Sequence, residues 1–333
     1  MKNSICIACG ILAGLLQPAS GQEEASILKD PKTQQVSQAY AFILSQNYLL
    51  NRVASEYPDL GPQVEDALYA FKASAFGKGS AALEDELKTA LGLQWSKTKN
   101  ITEQCASANF RTHKLTHETA KQYVEKVKLR AKGDLPESIR NILLSVNPAY
   151  VNSPGAELAD GWKQTFSTKA HPKSEGAEIT LALPLSWSKR EGNQVGIVQV
   201  FRSGAGHGPI VCTIFCKKVG GDSEGDATLQ DMNGFFTNEN LVMMAKSMGR
   251  MIEARQITIA GAPGGVITYD SAQEMLGVMT EVRSTDFAII HKKHFIKVTF
   301  ALNKQMLNGM TFDEAQKAYY PTYLAIMSNL ARY

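Results

Sequence analysis

The sequence has no long apolar run, little net charge and few cysteines, and each shortage excludes a class of protein. Its one uncharged apolar stretch, residues 5–16, is shorter than the roughly 20 residues that a membrane-spanning helix needs. The formal net charge is only +3, which is too small to indicate a nucleic-acid partner. Hydrophobic residues make up 44% of the chain and charged residues 20%, so the composition predicts a folded protein rather than a disordered one.

The first 21 residues have the pattern of a secretory signal peptide. Lys2 supplies a positive start, the apolar stretch follows, and Ala19 and Gly21 place small residues where a signal peptidase cuts. We expect cleavage after Gly21 and a periplasmic or secreted mature protein that does not span a membrane. Cys9 lies inside the apolar stretch rather than at its end, so the sequence does not favour lipid attachment.

Three cysteines follow the expected cleavage site: Cys105, Cys212 and Cys216. An odd number leaves at least one thiol unpaired. An oxidising compartment favours pairing of Cys212 with Cys216. If both lie on one strand, however, about 13 Å separates them, which is too far for a disulfide. We therefore expect two buried thiols.

The spacing of apolar residues changes near residues 153–155, where the sequence reads Ser-Pro-Gly. Before this point the apolar residues recur every three or four positions, and after it they alternate. The change predicts two domains after the signal peptide: a helical domain at residues 22–152 and an α+β domain at residues 153–333.

Five helices are expected in the first domain. They cover residues 36–57, 63–76, 81–91, 116–131 and 134–146. Gly77 and Gly79 are expected to stop the second helix, Gly92 to cap the third, and Thr116 to cap the start of the fourth. The fourth helix carries a charged series that is interpreted as a solvated face: Lys121, Glu125, Lys126, Lys128, Arg130 and Lys132.

The second domain is expected to form an antiparallel sheet flanked by helices, an α+β sandwich. Expected strands cover residues 177–184, 194–202, 209–217, 255–260, 265–270, 276–285 and 288–302, with a break at 285–287 and a turn or charged strand at 291–294. One helix is expected at 231–248, with Thr237 as a candidate N-cap. A capping box from Thr311 to Glu314 opens the last helical region. Within it, Pro321 either kinks the helix or begins a separate one ending at Tyr333.

Part of this domain resembles a known fold. The segments Ile-Thr-Leu-Ala-Leu-Pro-Leu-Ser-Trp at 179–187, Ile-Val-Gln-Val-Phe at 197–201 and Gly-Ala-Pro-Gly-Gly at 261–265, with the closing amphipathic helix, resemble the PsbP-type fold. The resemblance covers about residues 160–333. It implies a curved antiparallel sheet covered by helices. Members of that family mostly bind other proteins or have no assigned activity, and they share no catalytic motif that these positions match. The helical domain shows no such resemblance.

His207 is the one candidate for ligand contact. It lies in the glycine-rich loop 203–208, but a phosphate-binding loop would need a helix directly after the glycines. A strand is expected there, so the loop is interpreted as an open hairpin. An exposed histidine beside flexible backbone can still contact a ligand.

Two histidine pairs are unfavourable for metal binding. The expected cap at Thr116 leaves His113 outside the helix that carries His117. His291 and His294 would point to opposite faces of an extended strand.

An acidic loop and two serines also lack the context of a site. Asp222, Glu224 and Asp226 alternate with small residues, but Ala227 and Asn233 stand where a calcium loop needs glycine and a bidentate carboxylate. Ser186 and Ser203 lack the surroundings of a nucleophilic serine. The sequence therefore predicts no catalytic residue, cofactor or metal.

The leading hypothesis is an exported, non-enzymatic binding or assembly protein whose partner is an unknown protein or small ligand. Under this hypothesis, Trp187 is expected to be a core residue of the second domain. The alternative is a hydrolase or other enzyme with a cleft between the two domains and His207 as acid or base.

Overall fold

The structure is a computed structural model that describes residues 30–111, 114–151, 153–219, 225–275 and 278–333. The expected signal peptide, residues 1–21, lies outside the described residues. The chain divides into two compact units, Met1–Val151 and Asn152–Tyr333. The first is helical and the second contains antiparallel sheets flanked by helices, so the predicted fold class is confirmed.

Seven helices are described in the first unit. They are α1 (Pro31–Glu56), α2 (Gly61–Ala73), α3 (Ala75–Leu91), α4 (Trp95–Arg111), α5 (His117–Ala131), α6 (Glu137–Ser145) and α7 (Pro148–Val151). Local signals placed several ends correctly. Thr116 caps α5 by accepting a hydrogen bond from the Thr119 amide, and Gly92 follows α3 with a φ of +53°. Positive φ is a conformation that glycine adopts at little cost.

The expectation that Gly77 and Gly79 stop a helix was wrong. Helix α2 ends at Ala73, Ser74 caps α3, and both glycines lie inside α3. A Cβ atom on Gly79 would lie 1.8 Å from the Leu143 carbonyl oxygen of α6, and one on Gly77 would lie 2.0 Å from the Phe71 oxygen. These glycines therefore permit close helix packing.

Helix α4 was missed. Its buried positions are Trp95, Thr98, Thr102 and Ala106, which have helical spacing. Two of the four are threonines, so a search for apolar periodicity does not find the buried stripe. The Thr102 hydroxyl donates to the Thr98 carbonyl at 2.8 Å, and Trp95 packs edge-on against Tyr40.

The second unit combines two antiparallel sheets with helices. Its elements are α8 (Pro154–Ala159), β1 (Lys163–Ser167), β2 (Ile179–Pro184), β3 (Ser188–Glu191), β4 (Ile197–Arg202), β5 (Ile210–Lys218), α9 (Leu229–Phe235), α10 (Asn238–Met248), β6 (Arg250–Ile259), β7 (Ala262–Met275), β8 (Val278–His291), β9 (His294–Asn303), α11 (Phe312–Ser328) and β10 (Ala331–Arg332). One sheet has the order β1-β2-β10 and the other β3-β4-β5-β9-β8-β7-β6.

The large sheet has a different cover on each face. One face packs against β2 of the small sheet and against α11, and Trp187 lies in that core at 2% exposure. The opposite face carries a smaller core in which Phe236, Leu241 and Ala245 pack on residues of β7 and β8. Within the described ranges, no helix is both long and apolar enough to cross a bilayer.

Several boundaries in this unit differ from the expectations. The helix expected at 231–248 is two helices, α9 and α10, and Thr237 caps the second as predicted. The break expected at 285–287 is absent because β8 continues to His291, and the chain turns at 292–293 instead. Strand β8 accommodates the charged Asp286 because Lys297 of β9 pairs with it at 3.1 Å.

The closing region is a single helix. The predicted capping box is present, since the Thr311 hydroxyl accepts a hydrogen bond from the Glu314 amide and the Glu314 carboxylate accepts one from the Thr311 amide. Pro321 lies inside α11. The alternative of a separate helix ending at Tyr333 was wrong, because Ala331 and Arg332 form β10 and pair with β2.

Candidate functional site

The opposite face of the large sheet carries a half-exposed area beyond the helices α9 and α10. We call it the open strip, and it consists of Arg190, Arg202, Val211, Thr213, Thr299 and Ala301. Antiparallel neighbours share a face. Because Thr213 pairs with Thr299, and Val211 with both Ala301 and Arg202, these side chains form adjoining rows across β4, β5 and β9. Arg190 extends the surface onto β3 through its pairing with Val200.

Two arginines make one end of the open strip cationic. Partial burial lowers the pKa of Arg202, and the positive charge of Arg190 lowers it further. Arg202 Nε donates to the Gly208 carbonyl at 3.3 Å, which fixes the side chain against the β4–β5 hairpin. The second guanidinium, on Arg190, is exposed. An anionic group here would relieve the repulsion between the two cations.

A buried ion pair borders the other end of the open strip. Asp286 is only 1% exposed and lies opposite Thr299 in the register of β8 and β9. Lys297 Nζ lies 3.1 Å from Asp286 Oδ2. Burial, together with the negative charge of Asp286, raises the pKa of Tyr269 to about 12, so the phenol stays protonated. Removing one partner of such a pair would leave a buried uncompensated charge.

His207, the predicted ligand contact, lies in the hairpin between β4 and β5. This hairpin was predicted correctly. The His207 backbone amide donates to the Gly204 carbonyl at 3.0 Å. The expectation of an exposed histidine was wrong, because the residue is half-buried. The next residue, Gly208, accepts the hydrogen bond from Arg202. His207 therefore lies in the loop that adjoins the cationic end of the open strip, and its role in ligand contact stays a prediction.

The two serines considered as nucleophiles are buried and use their hydroxyl groups within the fold. The Ser186 hydroxyl donates to Glu157 Oε2 at 2.7 Å, and the Ser186 amide donates to Glu157 Oε1 at 2.6 Å. The Ser203 hydroxyl oxygen accepts from the Ile210 amide at 3.0 Å. Sequence reasoning missed Glu157, because nothing in the pattern of α8 indicates that its carboxyl group is buried. Burial raises the pKa of Glu157 to about 7.

The three described histidines that were considered for metal binding each have a different partner. His117 Nε2 lies 2.7 Å from an Asp59 carboxylate oxygen, and His113 lies outside the described residues. His291 Nε2 lies 3.0 Å from the Tyr333 carbonyl, whereas His294 Nε2 lies 2.9 Å from the Glu175 carbonyl. Among the residues that the structure describes, no group of three histidine, cysteine, aspartate or glutamate side chains could hold a metal. Asp222 and Glu224 of the acidic loop lie outside the described residues.

The thiols Cys212 and Cys216 are free and buried on β5, as predicted. Burial raises the pKa of both, that of Cys216 to about 12. Because the thiolate is the reactive form, the raised pKa disfavours nucleophilic chemistry at both thiols. Cys105 is also free and is half-buried.

Comparison with known proteins adds only distant structural likenesses. No protein-family model matches the chain, and no curated protein matches it by sequence. A crystal structure of a protein from Bacteroides thetaiotaomicron VPI-5482 matches 46% of this chain and 45% of its own length, with 15% identity and a TM-score of 0.29. The solution structure of the cyanobacterial PsbP protein CyanoP from Synechocystis matches 51% of this chain and 92% of its own length, with 12% identity and a TM-score of 0.32. TM-scores this low assign neither a fold family nor a function.

Proposed function

We propose that this protein is an exported, non-enzymatic binding or assembly protein that holds a protein or small ligand on the open strip. The observation that carries the proposal is the combination of two neighbouring arginines with half-exposed valine, alanine and threonine side chains on one sheet face. Arginine recognises carboxylates and phosphates through paired donors, and apolar neighbours supply contact area. The strip suits a ligand or partner segment that has both an anionic group and an apolar part.

The PsbP-type resemblance of residues 160–333 is consistent with this proposal. It rests on the sequence segments 179–187, 197–201 and 261–265, and members of that family mostly bind other proteins or have no assigned activity. The export part of the proposal rests on residues 1–21. Amino-terminal sequencing of protein purified from its own envelope would test it, with a first residue of Gln22 expected and an intact Lys2 contradicting it.

The binding proposal is tested by a charge reversal on the open strip. The tagged mature protein is purified from its own envelope, and co-purifying proteins and small molecules are identified by mass spectrometry. We expect Arg190→Glu to lose most of the retained partner, because the substitution places a negative charge beside the partner's anionic group. Lys189→Glu is the matched control, since Lys189 is also exposed on β3 but points to the opposite face.

A partner retained equally by the wild type and by both variants would remove the open strip from the proposal. Loss in both variants would show a general charge effect rather than a site. Matching melting temperatures of the two variants would establish that neither result comes from unfolding.

The alternative is a hydrolase or other enzyme that uses His207 as acid or base. Its support is weaker, because Ser186 and Ser203 already use their hydroxyl groups in bonds within the fold. An enzyme of this kind would hydrolyse ester or phosphoester reporter substrates, and His207→Ala would abolish the turnover. Turnover that is unaffected by His207→Ala would contradict the role of His207.

A further inference from the structure

Helix α5 buries an arginine that the sequence places on a solvated face. Arg130 lies in the last turn of α5 and is 5% exposed, so the expectation that it belongs to the exposed charged series was wrong. Its Nη1 atom donates to Gln46 Oε1 of α1 at 2.8 Å and to the Tyr123 hydroxyl at 3.3 Å. The centre of the guanidinium group lies 4.6 Å from the Phe42 ring centre. Aromatic contacts and neutral oxygens therefore surround the charge.

These neighbours leave the positive charge without a counter-ion. Both hydrogen-bond acceptors of Arg130 are neutral, and no ion pair between described residues includes it. A buried charge is costly unless it is paired with an opposite one. The cation–π contact with Phe42 and the position at the helix C-terminus offset only part of that cost.

Two buried donors at the same place also lack an acceptor. Arg130 Nε and Gln46 Nε2 are inaccessible to solvent and make no hydrogen bond to any described residue. Gln46 is 1% exposed. Unsatisfied buried donors are uncommon in folded proteins and need an explanation. Within the described part of the chain, the guanidinium of Arg130 and the amide of Gln46 both lack an acceptor, and one negatively charged acceptor would satisfy both.

We propose that Arg130 and Gln46 form a binding site for the carboxylate group of a small organic acid. The guanidinium presents its donors in a planar fork whose spacing matches a carboxylate, and Nη1 is the only atom of that fork bonded to the described protein. The Gln46 amide supplies a further donor, and the guanidinium group lies over the rings of Phe42 and Tyr123. The site lies in the helical unit and is independent of the open strip.

Anion-dependent stability of the full chain tests this proposal. Melting temperature is measured at constant ionic strength in sodium chloride, acetate, benzoate and inorganic phosphate. We expect a saturable rise of a few degrees with acetate and a larger one with benzoate, because a ligand that binds only the folded state stabilises it. Hydrogen exchange in α1 and α5 should slow in benzoate. Equal melting temperatures in chloride and in both carboxylates, or a rise with phosphate alone, would overturn the proposal.

Variants locate the effect. Arg130→Met replaces the charge by an apolar chain of similar length, and we expect the carboxylate response to disappear. Gln46→Glu supplies a carboxylate within the chain, so it should raise the melting temperature in chloride and abolish the response to benzoate. Gln104→Glu is the matched control, because Gln104 is exposed on α4 and the charge change is the same. A benzoate response that persists in Arg130→Met, or an equal gain in stability from Gln46→Glu and Gln104→Glu, would contradict the site.

Discussion

The carboxyl group of Glu157 accepts two hydrogen bonds from Ser186, one from the amide at 2.6 Å and one from the hydroxyl at 2.7 Å. Glu157 belongs to α8 and is 2% exposed, and Ser186 lies two residues after the end of β2. The Ser186 carbonyl in turn accepts a hydrogen bond from the Ala205 amide in the β4–β5 hairpin. One buried acid therefore connects a short helix, a strand end and the hairpin loop that contains His207.

This arrangement predicts a pH-dependent stability. Burial raises the pKa of Glu157 from 4.5 to about 7, although the bonds from Ser186 oppose the shift. Because the folded pKa lies above the unfolded one, the stabilisation by protonation is complete below about pH 4.5 and is lost as pH rises through about 7. Linkage gives a change of about 3 kcal/mol over that window. Denaturant unfolding of the wild type and of Glu157→Gln measures this change. Between pH 4.5 and 7.5, the wild type should lose stability relative to Glu157→Gln. Parallel pH curves would contradict the raised pKa.

Trp187 is expected to be essential to the core of the second unit. The side chain is 2% exposed and packs among residues of both sheets. Trp187→Ala should lower the free energy of unfolding by about 3–5 kcal/mol, because it removes apolar contacts and leaves a cavity. Thermal unfolding measures the effect, with Val195→Ala as the control at a position 92% exposed. An unchanged melting temperature for Trp187→Ala would contradict its assignment to the core.

Gly79 is expected to resist substitution although it lies inside a helix. Alanine has a higher helix propensity than glycine by about 1 kcal/mol. At Gly79, however, a Cβ atom would lie 1.8 Å from the Leu143 carbonyl oxygen, which belongs to the backbone of α6. Gly79→Ala should therefore destabilise the protein by about 1–3 kcal/mol or more, as overpacking does. Gly61→Ala is the control, because no atom of the described residues lies within 4 Å of its added Cβ. Equal stability of the two variants, measured by denaturant unfolding, would disprove the close approach of α3 and α6.

Signals that act within a few residues could be read from the sequence. The caps at Thr116, Thr237 and Thr311 were predicted because a side chain that bonds its own helix needs no distant partner. The buried thiols of Cys212 and Cys216 followed from the geometry of one strand. The glycines of α3 were misread because their reason lies in a neighbouring helix, and Gly79 contacts the backbone of α6, more than sixty residues away in sequence.

The same division between local and long-range information applies to the candidate sites. The sequence offered His207 as a candidate for ligand contact, because its loop could be placed by its glycines, and that role stays a prediction. It could not identify Glu157, Asp286 or Arg130, because a charged residue in sequence is ordinarily an exposed one. Each is buried by contacts from other elements, and only those contacts reveal which charge has a partner.

The sequence by itself determined the change from a helical to an alternating pattern, and with it the order of a helical part and an antiparallel α+β part. Those properties follow from side-chain periodicity along the chain. Only the tertiary structure decided the strand order β3-β4-β5-β9-β8-β7-β6, the rows of the open strip and the burial of Arg130 against Gln46. Strand order and burial depend on which distant elements pack together, and the free energy of that packing is not contained in any local pattern.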